Sequence, residues 1–232
     1  MQITWLGHSA FHLSFDDIDV LIDPFFSGNG TFPEGYEDRL KKVDFIALTH
    51  GHSDHLGDTI RLCQNFDATL VAQMEICQFL GTKGVKKSQP MNIGGSIMAG
   101  GLTFSMVFAQ HSSSAFRDGA LIPLGDAAGL VIGQGKEMVY HAGDTALFSD
   151  MALIQRLYKP TVGLLPIGDR FTMGPEAAAI ACNEFLDLQY VIPTHWGTFP
   201  PLTGKPDAFQ PLVKRGKVLL PTPGETLRLQ IV

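Results

Sequence analysis

The segment Thr49-His50-Gly51-His52-Ser53-Asp54-His55 places three imidazoles and one carboxylate within six positions, from His50 to His55. The mostly apolar run Val43 to Leu48 leads directly into it, so the cluster is expected at the end of a buried strand and not on a solvated face. Gly51 permits the tight turn that would converge the side chains. Neutral imidazole and carboxylate suit Zn²⁺, and equally Fe²⁺ or Mn²⁺, so the pattern reads as a metal cradle without naming the metal. Alternate side chains of an extended segment share a face, which lets His50 and His52 hold one ion while Asp54 and His55, past the turn, face another. A helical His-Glu-x-x-His site does not fit, because these histidines are two apart with Gly between them.

Composition sets the frame around this cluster. The 232 residues are 45% hydrophobic and 17% charged, and the sequence contains no low-complexity run or Gly/Ser linker, so a single domain over residues 1–232 is expected. A net charge of −6 provides no basic field for nucleic acid, so a small-molecule substrate is expected ahead of a nucleic acid. There is no apolar run of membrane-spanning length and no secretory pattern at Met1 to Trp5, which points to a soluble cytoplasmic protein with no membrane partner. Cys63, Cys77 and Cys182 are odd in number and lack CxxC spacing, so they are expected as buried free thiols. Whether the chain forms a homo-oligomer is left open.

The elements that must position the cluster follow from periodicity. Strand-like alternation runs through Ile3 and Trp5, then Phe11 to Phe15, then Ile18 to Ile22, with Asp16-Asp17 turning the second into the third. His8 follows the first of these strands and Asp23 ends the third, and strand ends are where open α/β sheets carry functional groups. Phe25 to Leu40 reads as a surface loop, Gly57 to Asn65 and Met74 to Leu80 as helices, and Thr69 to Ala72 as a strand between them. Met91 to Gly101 is dominated by Gly and small residues. Leu102 to Ala109 reads as a strand ending at His111, and Ser113 to Ala128 as a flap in which Arg117 could meet an anion. A hairpin of Leu130 to Ile132 with Met138 to Tyr140 leads into His141-Ala142-Gly143-Asp144. Leu147 to Tyr158 reads as a helix, Thr161 to Pro166 as a strand, and Ile167 to Gly174, with Asp169, as an exposed loop. Pro175 and Glu176 open a helix continuing to Phe185. Tyr190 to Pro193 is a strand with His195 beyond it, followed by a short helix over Asp207 to Lys214 and strands Val218 to Leu220 and Thr226 to Val232.

The His50-x-His52-x-Asp54-His55 pattern, followed in order by His111, Asp144 and His195, resembles the metallo-β-lactamase superfamily. The phrases Trp5-Leu6-Gly7-His8-Ser9-Ala10, Leu21-Ile22-Asp23-Pro24, His141-Ala142-Gly143-Asp144-Thr145, Pro166-Ile167-Gly168-Asp169 and Pro193-Thr194-His195-Trp196-Gly197-Thr198-Phe199 are similar to a branch of small metal-dependent hydrolases akin to the ascorbate-6-phosphate lactonases. The resemblance covers nearly the whole chain. It implies an α/β (α+β) fold, a four-layer αββα sandwich with two mixed sheets face to face and helices outside. It also implies two divalent transition metal ions, zinc first and manganese or iron as alternatives: His50, His52 and His111 on one, Asp54, His55 and His195 on the other, Asp144 bridging. No ligand position departs from the pattern. Trp196 stands where relatives often have Tyr, which puts a Tyr-hydroxyl role in doubt.

The function implied is a binuclear metal-dependent hydrolase whose metal-bridged hydroxide attacks a small ester, lactone or phosphodiester. Asp54 is the expected proton carrier, with His8 or His141 assisting. Three rivals remain: a phosphodiesterase or nuclease acting on nucleic acid, a diiron redox protein, and a metal-stabilised protein without catalysis. The redox reading lacks room for a flavin module. Loops Phe25 to Leu40 and Ser113 to Ala128 would shape the pocket, so the substrate itself is not readable.

Overall fold

The Phe11–Phe15 strand buries Phe11, Leu13 and Phe15 and leaves His12 and Ser14 half-buried, as alternation in a strand covered on one face requires. Phe45–Ala47 and Val162–Pro166, by contrast, are buried at every position, the continuous apolar run of a parallel strand covered on both faces. The computed structural model describes residues 1–231. The chain divides into two compact units, one of Met1–Ile93, Ser112–Ala127 and Pro221–Leu229, the other chiefly of Gly94–His111 and Ala128–Leu220.

The first unit carries a seven-stranded sheet ordered Thr226–Arg228, Gln2–Trp5, Phe11–Phe15, Ile18–Ile22, Phe45–Ala47, Thr69–Gln73, Ser88–Met91. The pairings are antiparallel as far as Ile18–Ile22 and parallel after it. Helices Thr59–Phe66 and Met74–Gly81 contribute Leu62, Ile76 and Leu80 to a core with Leu21, Ile46, Leu48 and Leu70. Burying these side chains stabilises the unit by about 1.5–3 kcal/mol for each large aliphatic group.

The second unit repeats that logic. Its seven-stranded sheet runs Lys217–Val218, Tyr190–Thr194, Val162–Pro166, Glu137–His141, Ala128–Gln134, Leu102–Phe108, Ser96–Ala99. The three pairings from Ser96–Ala99 to Glu137–His141 are antiparallel and the three beyond are parallel. Helices Met151–Tyr158 and Pro175–Ile180 supply Met151, Ile154, Ala178 and Ala179 to a core with Val131, Tyr140, Leu165 and Val191.

Several expected elements differ. The helix expected over Gly57 to Asn65 is Thr59–Phe66, preceded by a separate helical turn, Ser53–Leu56, that ends at Gly57, whose φ is 42°. Met91 to Gly101 overlaps two edge strands, taking in the end of Ser88–Met91 and the whole of Ser96–Ala99, and both strands keep exposed positions. Phe25 to Leu40 is less exposed than its composition suggests, because Phe25, Phe26, Asn29 and Tyr36 are buried. Asp58 holds that loop, accepting the amide N–H groups of Phe26 and Ser27 at 2.9 and 2.7 Å. Within the expected flap, Ser114–Arg117 and Ala120–Pro123 form a separate two-stranded hairpin with Arg117 exposed. The helix expected from Leu147 begins at Met151. The last strand is Thr226–Arg228, and Val232, expected within it, lies outside the described residues. Among the described residues no helix is long and apolar enough to cross a membrane.

Candidate metal centre

In the first unit the parallel strand Phe45–Ala47 ends in a segment that is extended at His52 (φ −70°, ψ 153°) and then closes into the helical turn Ser53–Leu56. The amides of His55 and Leu56 donate back to the His52 carbonyl at 3.0 and 2.8 Å. Across this change from extended to helical backbone the rings of His50 and His55 stay adjacent, their centroids 4.0 Å apart. Gly51 is not needed for its φ, which is not positive. It is needed for space, because a Cβ there would lie 2.8 Å from Leu124 and 3.2 Å from the Ser113 hydroxyl.

Two buried side chains orient the imidazoles. Asp23 is fully buried, and its Oδ1 accepts the Thr49 N–H at 2.9 Å. Its Oδ2 accepts the Thr49 hydroxyl at 2.6 Å and lies 2.7 Å from His55 Nδ1. An ionised carboxylate only accepts, so His55 carries its proton on Nδ1 and presents Nε2 as a lone pair. The Thr49 hydroxyl, having given its proton to Asp23, accepts from His50 Nδ1 at 3.0 Å, so His50 also presents a bare Nε2. This orientation of ligand histidines is what metal sites require. Sequence reading placed Asp23 near the site but passed over Thr49, because a β-branched residue at a strand end reads as ordinary strand; the available signal was a hydroxyl at a buried position beside a histidine.

Around this pair, His50 Nε2 lies 3.0 Å from His52 Nδ1, and the Ser112 hydroxyl is 3.4 Å from His52 Nε2. Donor atoms of His8, Asp54 and His55 fall within 4.8 Å of one another. His8 Nε2 is 3.0 Å from Asp54 Oδ2, with His8 buried and Asp54 26% exposed. Ser113 staples the hairpin to the motif: its hydroxyl accepts the Gly51 N–H at 3.1 Å and donates to the Leu124 carbonyl at 2.9 Å.

In the second unit, Asp144 Oδ2 lies 3.1 Å from His195 Nε2 and 3.6 Å from His111 Nε2. The loops carrying His111 and Asp144 are stitched together at Gln110, whose N–H donates to the Thr145 hydroxyl at 2.9 Å and whose carbonyl accepts the Ala146 N–H at 3.2 Å. His141 is buried, and its Nδ1 accepts the Gly143 N–H at 3.0 Å, so it shapes the turn that delivers Asp144. His195 follows Tyr190–Thr194 with φ 55°. The neighbouring backbone is so close that a Cβ on Gly168 would sit 2.0 Å from the His195 carbonyl oxygen. The Trp196 indole N–H donates to the Pro193 carbonyl at 3.1 Å, so this donor serves its own strand end. Asp169 (φ 63°) instead lines a cavity of about 890 Å³ with Glu176, Thr203, Lys205 and Asp207.

These residues fit a small divalent cation. Two nitrogen or oxygen ligands at about 2.0–2.1 Å from a tetrahedral ion stand about 3.3–3.4 Å apart, and the His50–His52, Asp144–His195 and Asp144–His111 separations of 3.0, 3.1 and 3.6 Å bracket that edge. The donor set is imidazole and carboxylate throughout. The cysteines take no part: all three are buried and free, and burial pushes the Cys63 and Cys182 thiols up to about 12 and Cys77 up to about 11.

Comparison with known proteins agrees with the geometry. Residues 19–196 match the model of the β-lactamase superfamily domain. A UPF0173 metal-dependent hydrolase of Chelativorans sp. (strain BNC1) is 47% identical, the alignment covering 99% of this chain and all of that protein. One of Methanopyrus kandleri is 44% identical over 97% of this chain and 99% of its own. Among solved structures, Igni18, a metallo hydrolase from the hyperthermophilic archaeon Ignicoccus hospitalis, matches with a TM-score of 0.87 at 36% identity over 99% of both chains. An isothiocyanate hydrolase from Delia radicum gut bacteria shares the fold, with a TM-score of 0.77 at 21% identity over 98% of this chain and 99% of its own. The chain has the metallo-β-lactamase fold and belongs to the β-lactamase superfamily, among its metal-dependent hydrolases.

Proposed function

We propose that the protein is a binuclear hydrolase of small esters, lactones or phosphodiesters, acting in the cytoplasm on a small-molecule substrate. By the resemblance to the superfamily, His50, His52 and His111 would hold one divalent ion and Asp54, His55 and His195 the other, with Asp144 a ligand shared by both. The observation that carries this reading is the hydrogen-bond chain from one buried carboxylate: Asp23 meets His55 Nδ1 directly and His50 Nδ1 through the Thr49 hydroxyl, which leaves Nε2 of each ring as the unprotonated nitrogen, an arrangement that serves cation binding. Zinc suits the ligands best, with manganese and iron as alternatives.

Bound divalent cations supply the acidity that makes water nucleophilic near neutral pH and the charge that polarises a carbonyl or phosphoryl group. The chain's own residues do the rest. Asp54, the partly exposed acid of the set, takes the proton of the attacking water. His141 keeps the Asp144 turn in place. The free, buried thiols suit a reducing compartment. A net charge of −6 favours a small substrate over a polyanion, which ranks nuclease activity below lactonase or esterase.

Elemental analysis of the purified protein, with assays on a lactone, an aryl ester and bis(p-nitrophenyl) phosphate, tests the reading. Two equivalents of metal and turnover of at least one substrate are expected. Asp54→Asn with unchanged metal content should lose turnover, and retained turnover would remove Asp54 as the proton carrier. A protein binding no metal would end the reading.

A further inference from the structure

His8 lies outside the proposed ligand set, yet the fold goes to some length to hold it. It is fully buried and adopts φ 54°, a left-handed backbone that residues with a Cβ rarely take unless their surroundings enforce it. The enforcement is visible on both sides. The Trp5 indole N–H donates to the His8 carbonyl at 2.9 Å. Gly7, at φ 86°, lies so close to Thr31 that a Cβ would meet its hydroxyl at 2.4 Å. Asn29 locks that neighbour, accepting the Thr31 N–H at 3.0 Å and the Thr31 hydroxyl at 2.8 Å. The imidazole itself is edged by the rings of Phe25 and His55, each with its centroid 5.8 Å away.

We propose that His8 is a positioning residue for Asp54, set in place by the Trp5 clamp. This rests on the binuclear reading above. Asp54 sits on a helical turn of only four residues and is 26% exposed, with His55 Nε2 of the same turn 3.9 Å from its Oδ2. The His8 Nε2–H, 3.0 Å from Asp54 Oδ2, supplies the restraint: the carboxylate can only accept, so the imidazole donates. Because Trp5 grips the main chain and not the ring, the restraint on where the imidazole starts from is built into the backbone. Part of the ordering cost of binding a cation at Asp54 is thereby met during folding.

Cobalt(II) titration of the full-length protein, by chelator competition and visible absorption, tests this. His8→Asn keeps a residue that tolerates the left-handed backbone, but its amide stops short of Asp54. His8→Gln restores a donor at the Nε2 position. Cobalt affinity should fall about 10–100-fold in His8→Asn and recover most of that loss in His8→Gln. Trp5→Phe should weaken binding part of the way, and the Trp5→Phe, His8→Asn double variant should be no weaker than His8→Asn alone. Far-UV circular dichroism and the urea midpoint of the metal-free His8→Asn protein should match wild type, which separates positioning from folding. Wild-type affinity and spectrum in His8→Asn would overturn the proposal, and so would equal losses in the Asn and Gln variants. Failure of the wild-type protein to bind cobalt would instead overturn the metal-centre reading beneath it.

Discussion

Replacing Asp23 with Asn changes one atom of a fully buried side chain and should reverse the polarity of the relay built on it. The amide oxygen can still accept the Thr49 N–H now bound at 2.9 Å. The new NH₂ then faces the Thr49 hydroxyl and His55 Nδ1, which stand 2.6 and 2.7 Å from the present oxygen, and both must turn into acceptors. His55 moves its proton to Nε2. Thr49, now accepting from Asn, donates to His50 Nδ1, 3.0 Å away, and His50 moves its proton to Nε2 as well. Three charge-assisted hydrogen bonds become neutral ones at about 1 kcal/mol each. Relief from burying a full charge offsets part of that, so folding stability should fall by about 1–3 kcal/mol. Metal affinity should fall far more. Misorienting one ligand typically costs about 10–100-fold, so two give about 10²–10⁴-fold, or about 3–5 kcal/mol. Long-range ¹H–¹⁵N spectra of the metal-free protein read the tautomers directly, and chelator competition with Zn²⁺ reads the affinity. A variant in which His55 still carries its proton on Nδ1, or in which zinc affinity stays within about threefold of wild type, would refute the relay.

Thr49→Val cuts the relay at its second link, so the His50 tautomer should change while that of His55 stays; the urea midpoint should report a loss of about 2 kcal/mol. Ser113→Ala removes the acceptor for the Gly51 N–H and the donor to the Leu124 carbonyl, and should cost about 1–3 kcal/mol while speeding hydrogen exchange at the Gly51 amide. Cys63, Cys77 and Cys182 should resist thiol reagents at about pH 8 in the native state and react once unfolded. Their folded values near 12, 11 and 12 lie above the unfolded value of about 8.5, so the fold favours the neutral thiol. Stability should therefore decline as pH rises from about 8.5 toward the folded values, seen as a falling urea midpoint.

Much of the fold is written locally. Phe11 to Phe15 alternates because one face is covered, and Val162 to Pro166 does not because both are; each pattern is visible without coordinates. Ser88–Met91 and Ser96–Ala99 escape that reading because edge strands owe their existence to a neighbour's hydrogen bonds, and Pro90 and nearby glycines argue against them locally. Phe25 to Leu40 looks like a surface loop because its helix and strand signals are absent. Its burial comes from tertiary partners: Asp58 holds Phe26 and Ser27, and Asn29 donates to the Leu6 and Phe25 carbonyls at 3.3 and 3.1 Å. At the candidate site, imidazoles and carboxylates after strand ends announce themselves by type. Thr49 and Trp5 do not, since their hydroxyl and indole act through geometry that residue identity does not reveal.

Asp23 and Asp144 occupy matching places in the two sheets. Each sheet changes from antiparallel to parallel pairing once, at Ile18–Ile22 in the first unit and at Glu137–His141 in the second. Asp23 follows the first of these strands directly and Asp144 follows the second by three residues. What divides their roles is the chemistry of their neighbours. Asp23 spends three of the about four lone-pair sites of a carboxylate on an N–H, an O–H and an imidazole N–H of its own chain. Asp144 faces imidazole Nε2 atoms of His195 and His111, groups that bind cations themselves. Substituting Asp23 should therefore disturb metal affinity through histidine orientation, while Asp144→Asn should remove a ligand outright and leave the His50 and His55 tautomers untouched in the same spectra.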